Sequence, residues 1–422
     1  MTEADGVGWT SVWMKLLGVE RTVVEAVEYD EVEGALVVSV RPNWQERGRC
    51  GRCGRRSPGY DSGEGRRRWR ALDLGTVQGF VEAEAPRVDC KEHGVVVASV
   101  PWARHGARFT RHFEDTVAWL ATQCSKWAVS VLMRVQWRSV GGMIARVVEG
   151  RSELEDRLTG VRRIGIDEVS YRKRHKYLTV VIDHDTGRLL WAAAGHDAKT
   201  LNGFFDLLGE ERCAAIELVS ADGATWISNV VRDRCPNARL CLDPFHVVSW
   251  ASDALDKVRR AVWNAARRSD DKAEAKELKG ARFVLWKGRE KLSDRQEEKL
   301  SSIAAINAPL YRAYLLKEQL RQVFRTGGRA GVRLLDRWLA WACRSRLEAF
   351  VKLSRTIRKR RKAIVAALRH NLSNGRVESA NTRIRLIIRR GFGFHSAAAV
   401  IALAMLCLGG LCPPLPGRGM AL

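Results

Sequence analysis

The stretch RRIGIDEVSY, residues 162–171, decides the fold of the central part of the chain. Isoleucines on either side of a glycine favour a buried strand, and this strand leads into two adjacent acids, Asp167 and Glu168. We expect Asp167 to lie where the strand ends. Because neighbouring strand residues point to opposite faces, Glu168 is predicted to face away from it, although the sequence alone leaves Glu168 open as the functional acid.

The sequence that follows alternates between strand and helix patterns. KYLTVVIDHDTGRLLWAA (176–193) predicts a hairpin that turns at DTG, and TLNGFFDLLGEE (200–211) predicts an amphipathic helix. Two further strands are predicted in IELVSAD (216–222) and ARLCLD (238–243). This order of strands and helices predicts an α/β layer.

Two carboxylates come at the ends of strands in this layer, Asp167 and Asp222. At about 4 Å and an effective dielectric near 20 they would repel by about 4 kcal/mol, and a divalent cation would remove that cost. A single strand-end aspartate is ordinarily a turn residue, but the pair favours a Mg²⁺ or Mn²⁺ site built from hard oxygen ligands. The candidate third acid is Glu378, in the first turns of a helix that Ser373 or Asn374 can cap. Asn381 borders its face.

A second metal site is predicted near the amino terminus. Two residues separate Cys50 from Cys53, and two separate Cys90 from His93, which is the spacing of paired zinc knuckles. We expect a structural Zn²⁺ with these four ligands. The alternative is a chance arrangement with Cys90 simply buried.

Basic residues cluster where DNA contacts are expected. The chain carries a net charge of +24, which makes a polyanion its expected partner. KWAVSVLMRV (126–135) and SVGGMIARVV (139–148) have the lengths of a helix-turn-helix with Ser139 as an N-cap, although a plain helical hairpin stays open. The predicted DNA contacts are Arg66, Arg67, Arg68, Arg70, Lys126, Arg134, Arg138, Arg146, Arg376, Arg383 and Arg385. Arg162, Arg163 and RKRRK (358–362) are further candidates.

The start of the chain lacks a signal-peptide pattern, and the longest apolar run, 397–411, is shorter than the roughly 18 residues of a spanning helix. The cysteines are scattered, which favours a reducing compartment. We therefore expect a cytoplasmic protein without a membrane partner.

Taken together, these motifs resemble a bacterial DDE insertion-sequence transposase of the ISL-three family. The resemblance rests on CKEHGVVVASVPWARHGARFT (90–110), RIGIDEVSYRKRHKYLTVVID (163–183), SADGATW (220–226), CLDPFHVV (241–248) and SNGRVESANTRIRLIIRRGFGFHS (373–396). It implies a ribonuclease H-like fold, with Asp167, Asp222 and Glu378 as the catalytic, metal-binding triad. Asp243 and His246 of the DPFH motif either assist at this site or tie the strand end by hydrogen bonds.

The expected fold class is therefore multidomain α+β. The predicted divisions are a β-rich zinc-binding module (1–105), a helix-turn-helix-like region (106–155), the first part of a ribonuclease H-like core (156–250), a helical insertion (251–370), and C-terminal core helices carrying the third acid (371–422).

The expected activity is metal-dependent cleavage of the element's terminal inverted repeats and strand transfer into target DNA, by a homo-oligomer that associates with the nucleoid when bound to DNA. The alternatives are a non-catalytic DNA-binding regulator, as in a domesticated transposase, and a ribonuclease H-like nuclease without strand transfer.

Overall fold

The structure is a computed structural model that describes residues 9–154, 156–268, 276 and 278–418. The parts of the predicted domains that fall on 1–8, 155, 269–275, 277 and 419–422 lie outside the described residues. The chain divides into two compact units. Unit 1 comprises residues up to Arg157 together with residues from Ile387 onward, and unit 2 runs from Leu158 to Leu386.

The amino-terminal part of unit 1 is rich in strands. Its elements are α1 (Trp9–Leu17), β1 (Thr22–Asp30), β2 (Ala35–Pro42), β3 (Gly59–Asp61), β4 (Arg66–Arg70), β5 (Gln78–Glu84), β6 (Arg87–Cys90) and β7 (Gly94–Val97). One sheet has the order β1-β2-β5-β4 and another has the order β3-β6-β7. Alternating apolar residues of the first sheet, such as Val38 and Val81, are fully buried around the edge-to-face pair of Trp69 and Trp102.

The helical part of unit 1 contains α2 (Arg111–Gln123), α3 (Lys126–Leu132), α4 (Trp137–Leu154) and a later helix, Ala397–Leu408, that packs against α2 and α4. The prediction that Ser139 caps α4 is wrong. The helix begins two residues earlier, immediately after a turn in which Arg134 has a φ of 52°, and Ser139 already donates its backbone N–H to the Gln136 carbonyl.

Residues 371–422 do not stay together as one piece of the core, as the sequence had suggested. Residues from Ile387 onward belong to unit 1. The physical reason is that the Arg390 guanidinium donates to the Ala121 and Thr122 carbonyls at the end of α2, at 2.8 and 2.9 Å. These carbonyls carry the negative end of the helix dipole, which a cation stabilises.

Unit 2 is built on a sheet with the order β10-β9-β8-β11-β12. Its elements are β8 (Arg163–Arg172), β9 (Lys176–Asp183), β10 (Leu189–Ala194), α5 (Ala198–Leu208), α6 (Glu210–Ala215), β11 (Leu218–Ala221), α7 (Thr225–Arg234) and β12 (Arg239–Leu242). β8, β9 and β10 pair antiparallel, whereas β11 runs parallel to both β8 and β12. The predicted α/β layer and its order are confirmed, with α6 added.

The two faces of this sheet are covered differently. Ile164 and Ile166 of β8 point to one face and pack with Phe204 and Phe205 of α5. Gly165 points to the other face, where Val377 approaches it. This alternation fixes which β8 side chains can face the helix that carries Val377.

Most of the described residues between β12 and Val377, which leave out 269–275 and 277, lie in helices. This segment begins with α8 (Pro244–Arg268) and continues through the helices Ala281–Leu285, Asp294–Ile306, Ala308–Thr326, Gly328–Arg344, Glu348–Lys359 and Arg361–His370. Its core centres on Tyr314, Trp338 and Phe350. The buried Lys317 ammonium donates to the Leu285 carbonyl at 2.8 Å, which offsets part of the cost of its burial. No helix in the described part of the chain is long and apolar enough to cross a membrane.

Candidate active site and metal centres

Asp167 on β8 stands level with Asp222 and Asp243, the residues that directly follow β11 and β12. In the parallel pairing of β8 with β11, Ser220 lies opposite Gly165, so two residues further on Asp222 reaches the level of Asp167. In the pairing of β11 with β12, Ala221 lies opposite Leu242, which brings Asp222 level with Asp243. The sheet therefore presents a row of carboxylates where β11 and β12 end.

The expectation that Asp167 lies at the end of its own strand is wrong. β8 continues to Arg172, because it pairs with β9 over nearly its whole length. What ends at this level is the parallel partner β11, at Ala221. Asp167 is therefore held in the middle of a hairpin strand.

Strand alternation separates Asp167 from Glu168. Asp167 shares the face of Gly165, whereas Glu168 shares the face of Ile164 and Ile166. The Asn381 amide donates to Asp167 Oδ2 at 2.9 Å, and the Glu168 backbone N–H donates to Asp167 Oδ1 at 2.8 Å. The Asp167 carboxylate is thus oriented through both of its oxygens.

Glu378 lies on the helix Gly375–Arg390, which we call the Glu378 helix. The residue before it, Asn374, donates its backbone N–H to Asp243 Oδ1 at 3.1 Å, and Asn381 reaches Asp167. Glu378 comes four residues after Asn374 and three before Asn381, so all three share one side of the helix. Asn374 and Asn381 are buried, while Glu378 is exposed.

The electrostatics of the row favour a bound cation. Burial raises the pKa of Asp167, and the negative charges of Asp222 and Asp243 raise it further. Burial also opposes ionisation of Asp243, but hydrogen bonds from His246 and the Asn374 N–H lower its pKa overall. His246 Nδ1 lies 3.0 Å from Asp243 Oδ2, and this bond raises the His246 pKa. The carboxylate and imidazole thus stabilise each other in their charged forms.

Other residues near this row were not singled out from the sequence. Asn374 was considered only as a helix cap, yet it is buried, and both side-chain polar atoms lack a hydrogen-bond partner among the described residues. Gly223 follows Asp222, and a Cβ built on it would lie 3.4 Å from the Arg360 guanidinium and 2.8 Å from Trp250. In the sequence Arg360 is marked only by its place in RKRRK, whereas its nearness to Gly223 arises from tertiary packing.

The predicted zinc ligands come together. The ligand atoms of Cys50, Cys53, Cys90 and His93 all lie within 4.8 Å of one another. In the part of the chain that the structure describes, the side chains of Asp167, Asp222 and Glu378 do not come together as closely. The Cys53–Cys90 sulfur separation is 3.8 Å, and the His93 Nδ1 atom lies 3.7 Å from Cys90 Sγ. Tetrahedral zinc with Zn–S near 2.3 Å places its ligand atoms about 3.8 Å apart.

The backbone of each knuckle explains this arrangement. Gly54 and Gly94 have φ values of 71° and 64°, which glycine adopts without strain, and the Arg52 N–H points at Cys50 Sγ. An Arg55–Glu92 ion pair of 3.0 Å joins the two knuckles. The backbone N–H of Glu92 and the neighbouring His93 side chain lower the pKa of Cys90 to about 6, which favours the thiolate that binds metal.

The arginines of GRRRWR have different surroundings. Arg66 and Arg68 are partly exposed and both pair with Glu82, and Arg67 lies over the Trp69 ring. Arg70 is only 6% exposed, and it donates to the Ala71 and Gly79 carbonyls and to Asp73. The prediction that Arg70 contacts DNA is therefore corrected: its guanidinium is used inside the module.

The predicted DNA contacts of α3 and α4 also differ among themselves. Arg138 is exposed. Arg134 is exposed and pairs with Asp73 at 3.0 Å, and Lys126 lies 3.9 Å above the centre of the Trp137 ring. Arg146 instead donates at 2.7 Å to Glu114, a fully buried carboxylate, so its primary role is to neutralise that charge.

On the Glu378 helix, Arg376, Arg383 and Arg385 are all exposed. Arg376 donates to the Asp185 carbonyl at 2.9 Å, which fixes the start of the helix on the turn after β9. These arginines surround Glu378 with positive charge, a suitable setting for an acid beside a phosphate backbone.

A row of carboxylates on one face of a mixed sheet, with the Glu378 helix hydrogen-bonded to it, is the arrangement expected of a DDE transposase. Residues 164–404, more than half of the chain, match a family model described as "Transposase". Residues 46–93 match "zinc-finger of transposase IS204/IS1001/IS1096/IS1165", and residues 98–148 match "Helix-turn-helix domain of transposase family ISL3". The chain belongs to the ISL3 family of transposases, the ISL-three family that its motifs had indicated.

Named relatives agree with this membership. The chain is 54% identical, over 96% of both sequences, to the transposase for insertion sequence element IS1557 of Mycobacterium tuberculosis, in strain CDC 1551 / Oshkosh and in strain ATCC 25618 / H37Rv. It is 25% identical to the transposase for insertion sequence element IS1001 of Bordetella parapertussis, over 88% of this chain and 91% of that one.

Proposed function

We propose that this chain binds the terminal inverted repeats of an insertion sequence, cleaves the DNA at the element ends and joins them to target DNA. The observation that carries the proposal is the level placement of Asp167 and Asp222 on parallel strands, with the Glu378 helix tied to both ends of the carboxylate row. Family membership supports the same activity.

We infer that the catalytic core is ribonuclease H-like. Support comes from the sheet, in which an antiparallel meander of β8, β9 and β10 is followed by β11 and β12, parallel to β8 and added on its other side. The matching family ranges support a division into a zinc module within 1–105, a DNA-binding helical region within 106–155 and a core from 156 to the Glu378 helix, interrupted by the helical insertion.

The donor set fits divalent cations. Asp167, Asp222 and Glu378 offer hard carboxylate oxygens, which Mg²⁺ and Mn²⁺ prefer. The pKa of Asp167 is raised first by burial and then by the negative charges of Asp222 and Asp243, and a bound cation would oppose both effects. When bound, such ions supply activation of the attacking oxygen and stabilisation of the leaving oxygen in an in-line displacement. The sulfur and imidazole ligands of the amino-terminal cluster fit structural Zn²⁺.

The protein's own residues position this site. The Asn381 amide donates to Asp167 Oδ2 and the Glu168 backbone N–H donates to Oδ1, so the Asp167 carboxylate is held through both oxygens, each of which keeps a lone pair free for a cation. The Asp243 carboxylate anchors the start of the Glu378 helix through the Asn374 N–H, and His246 fixes Asp243 from its other oxygen. We therefore propose that Asp243, His246 and Asn381 support the site without binding the ions.

Phosphate backbone would be held by exposed and half-buried cations. The proposed contacts are the exposed Arg66, Arg68, Arg134, Arg138, Arg376, Arg383 and Arg385 and the half-buried Arg67 and Lys126, with the half-buried Arg360 added beside Gly223. We further propose that the chain acts as a homo-oligomer, because two element ends must be brought together. Its DNA substrate places it in the bacterial cytoplasm, on the nucleoid.

The test is cleavage and joining of duplexes that carry the inverted repeats flanking the coding region, with Mg²⁺ or Mn²⁺. We expect both cut and joined products, and the loss of both in Asp167→Ala, Asp222→Ala and Glu378→Ala. A regulator would bind the duplex without cutting it, and a simple nuclease would cut without joining. Activity that survives all three single changes would refute the assignment.

A further inference from the structure

Unit 1 contains an apolar cavity between the helix-turn-helix and the residues that follow the Glu378 helix. Its volume is about 210 Å³. Ile144, Ile387 and Leu403 contribute apolar wall, and Lys126, Trp137 and His395 lie along it. A closed apolar cavity of about 150 Å³ is enough to hold a benzene ring, so this one has room for a flat heterocycle.

The polar side of the cavity carries positive charge and aromatic surface. The Lys126 ammonium lies 3.9 Å over the Trp137 ring, and the His395 ring meets Trp137 edge-on at 6.1 Å. Gly141 leaves room for the Lys126 ammonium, since a Cβ there would lie 3.2 Å from the Lys126 Nζ atom. Aromatic rings with adjacent cations are the surroundings in which proteins bind single nucleobases and their phosphates.

A strained, exposed aromatic residue stands at the rim. Phe392 lies between Gly391 and Gly393, both of which line the cavity. Its φ is 51°, a left-handed value that costs free energy for a residue with a side chain, and 98% of its surface is exposed. Gly391 contributes to this shape, since a Cβ there would lie 2.8 Å from the Phe394 ring.

The loop that carries Phe392 is held in place. The Arg390 guanidinium, immediately before it, donates to the Ala121 and Thr122 carbonyls at the end of α2. After it, the Ser396 hydroxyl caps the helix Ala397–Leu408 by accepting from the Ala399 N–H at 3.3 Å. An apolar side chain displayed on a fixed loop is the device by which proteins wedge apart a base step.

We propose that this cavity receives one unstacked nucleobase of bound DNA and that Phe392 fills the gap left in the base stack. The occupant is a base rather than an apolar peptide, because the cations Lys126 and Arg138 at the cavity match the phosphate to which a base is attached. The inference rests on the proposed function, since it requires a duplex bound to unit 1.

The experiment is a mismatch scan of the terminal-repeat duplex with the full-length, zinc-loaded protein. At each position the base on the opposite strand is changed, so that the scanned base is kept but its pairing is lost. Breaking a base pair is part of the free-energy cost of extruding a base. A mismatch at the extruded position removes that cost and is therefore expected to tighten binding about tenfold. Elsewhere a mismatch leaves affinity unchanged or weakens it.

Filling the cavity supplies the matched comparison. Ala399 lines the cavity, whereas its neighbour Ala398 is exposed on the same helix. Ala399→Trp is expected to abolish the tightening, and Ala398→Trp is expected to retain it. Phe392→Ala should weaken binding of the mismatched duplex about tenfold and Phe392→Trp should restore it, while Trp44→Ala, which removes another exposed aromatic, should have no effect.

The outcomes separate the two proposals. If the protein binds and cleaves the repeat duplex but no mismatch tightens binding, the base-pocket proposal is wrong and the proposed function stands. Tightening that persists in Ala399→Trp also overturns the base-pocket proposal. Failure to bind the repeat duplex at all sinks both proposals. The scan of the unaltered protein decides the matter even where Ala399→Trp does not fold.

Discussion

Replacing Gly165 with alanine tests whether close packing of the Glu378 helix on the sheet builds the site. An added Cβ would lie 2.4 Å from Val377 Cγ2, 2.8 Å from His184 Nε2 and 3.1 Å from Ser220 Oγ. Carbon atoms in contact prefer about 3.5–4.0 Å, so the nearest contact falls short by about 1 Å. His184 and Ser220 cannot easily give way, because they lie 2.6 Å from each other in a hydrogen bond.

The strain must therefore move the Glu378 helix outward by about 1 Å. Overpacking of this kind costs about 1–3 kcal/mol of folding free energy. The effect on activity should be larger, because a displacement of about 1 Å at a reacting site can lower its rate about 100-fold. Asn381 would withdraw from Asp167 and Glu378 from the carboxylate row.

The assay compares strand cleavage by bound protein with the thermal midpoint of unfolding. Gly203→Ala is the control, because a Cβ there meets only the Trp191 ring, at an ordinary 3.8 Å, and alanine in a helix stabilises by about 0.5–1 kcal/mol relative to glycine. We expect Gly165→Ala to lose cleavage about 100-fold and Gly203→Ala to keep it. A Gly165→Ala protein with cleavage within threefold of the unaltered chain would refute the packing argument.

Three further outcomes are expected. Metal analysis should find zinc in the protein as purified. Cys90→Ser should lose both the zinc and the fold of the knuckles, whereas Cys343→Ser should retain the zinc. Equal zinc content in the two variants would contradict the site. Burial lowers the pKa of His184 to about 4, so the unfolded imidazole takes up a proton below about pH 6.5 while the folded one does not. The free energy of unfolding should therefore be unaffected by His184 above about pH 6.5 and should fall by about 3 kcal/mol between pH 6.5 and pH 4. When this free energy is measured by urea unfolding at each pH, His184→Gln should remove the decrease. Parallel pH curves for the two proteins would contradict the prediction. Arg70→Ala should lower the free energy of unfolding by about 3 kcal/mol and leave the salt dependence of DNA binding unchanged. Arg138→Ala should leave stability unchanged and reduce the slope of log binding constant against log salt concentration by about 0.9. The reverse pattern would restore Arg70 as a DNA contact.

The features that could be predicted from the sequence depend on local patterns. The hairpin pattern is sufficient to place β9 and β10, and two-residue spacings are sufficient to pair the ligands of each zinc knuckle. Alternation also separated Asp167 from Glu168 before any contact was known, because it depends only on the geometry of one strand.

The features that were missed depend on contacts between distant parts of the chain. Asn374 binds Asp243, 131 residues away, and nothing local marks an asparagine as more than a helix cap. Arg70 resembles its exposed neighbours in sequence, but its guanidinium is taken up by the Ala71 carbonyl and by the Gly79 carbonyl of the neighbouring strand β5, a strand pairing that no charge pattern reveals. The continuation of β8 beyond Asp167 was missed because its pairing with β9 extends further than that with β11.

The most direct measurement of the central claim is divalent-cation-dependent cleavage and joining of terminal-repeat DNA by Asp167→Asn and Glu168→Gln side by side. The two acids are adjacent, both changes remove one charge with little change in size, and they differ in the face of β8 they occupy. The carboxylate row predicts that Asp167→Asn loses both products by at least about 100-fold while still binding DNA, and that Glu168→Gln stays within about tenfold of the unaltered chain. Full activity of Asp167→Asn, or its loss in Glu168→Gln alone, would contradict the assignment.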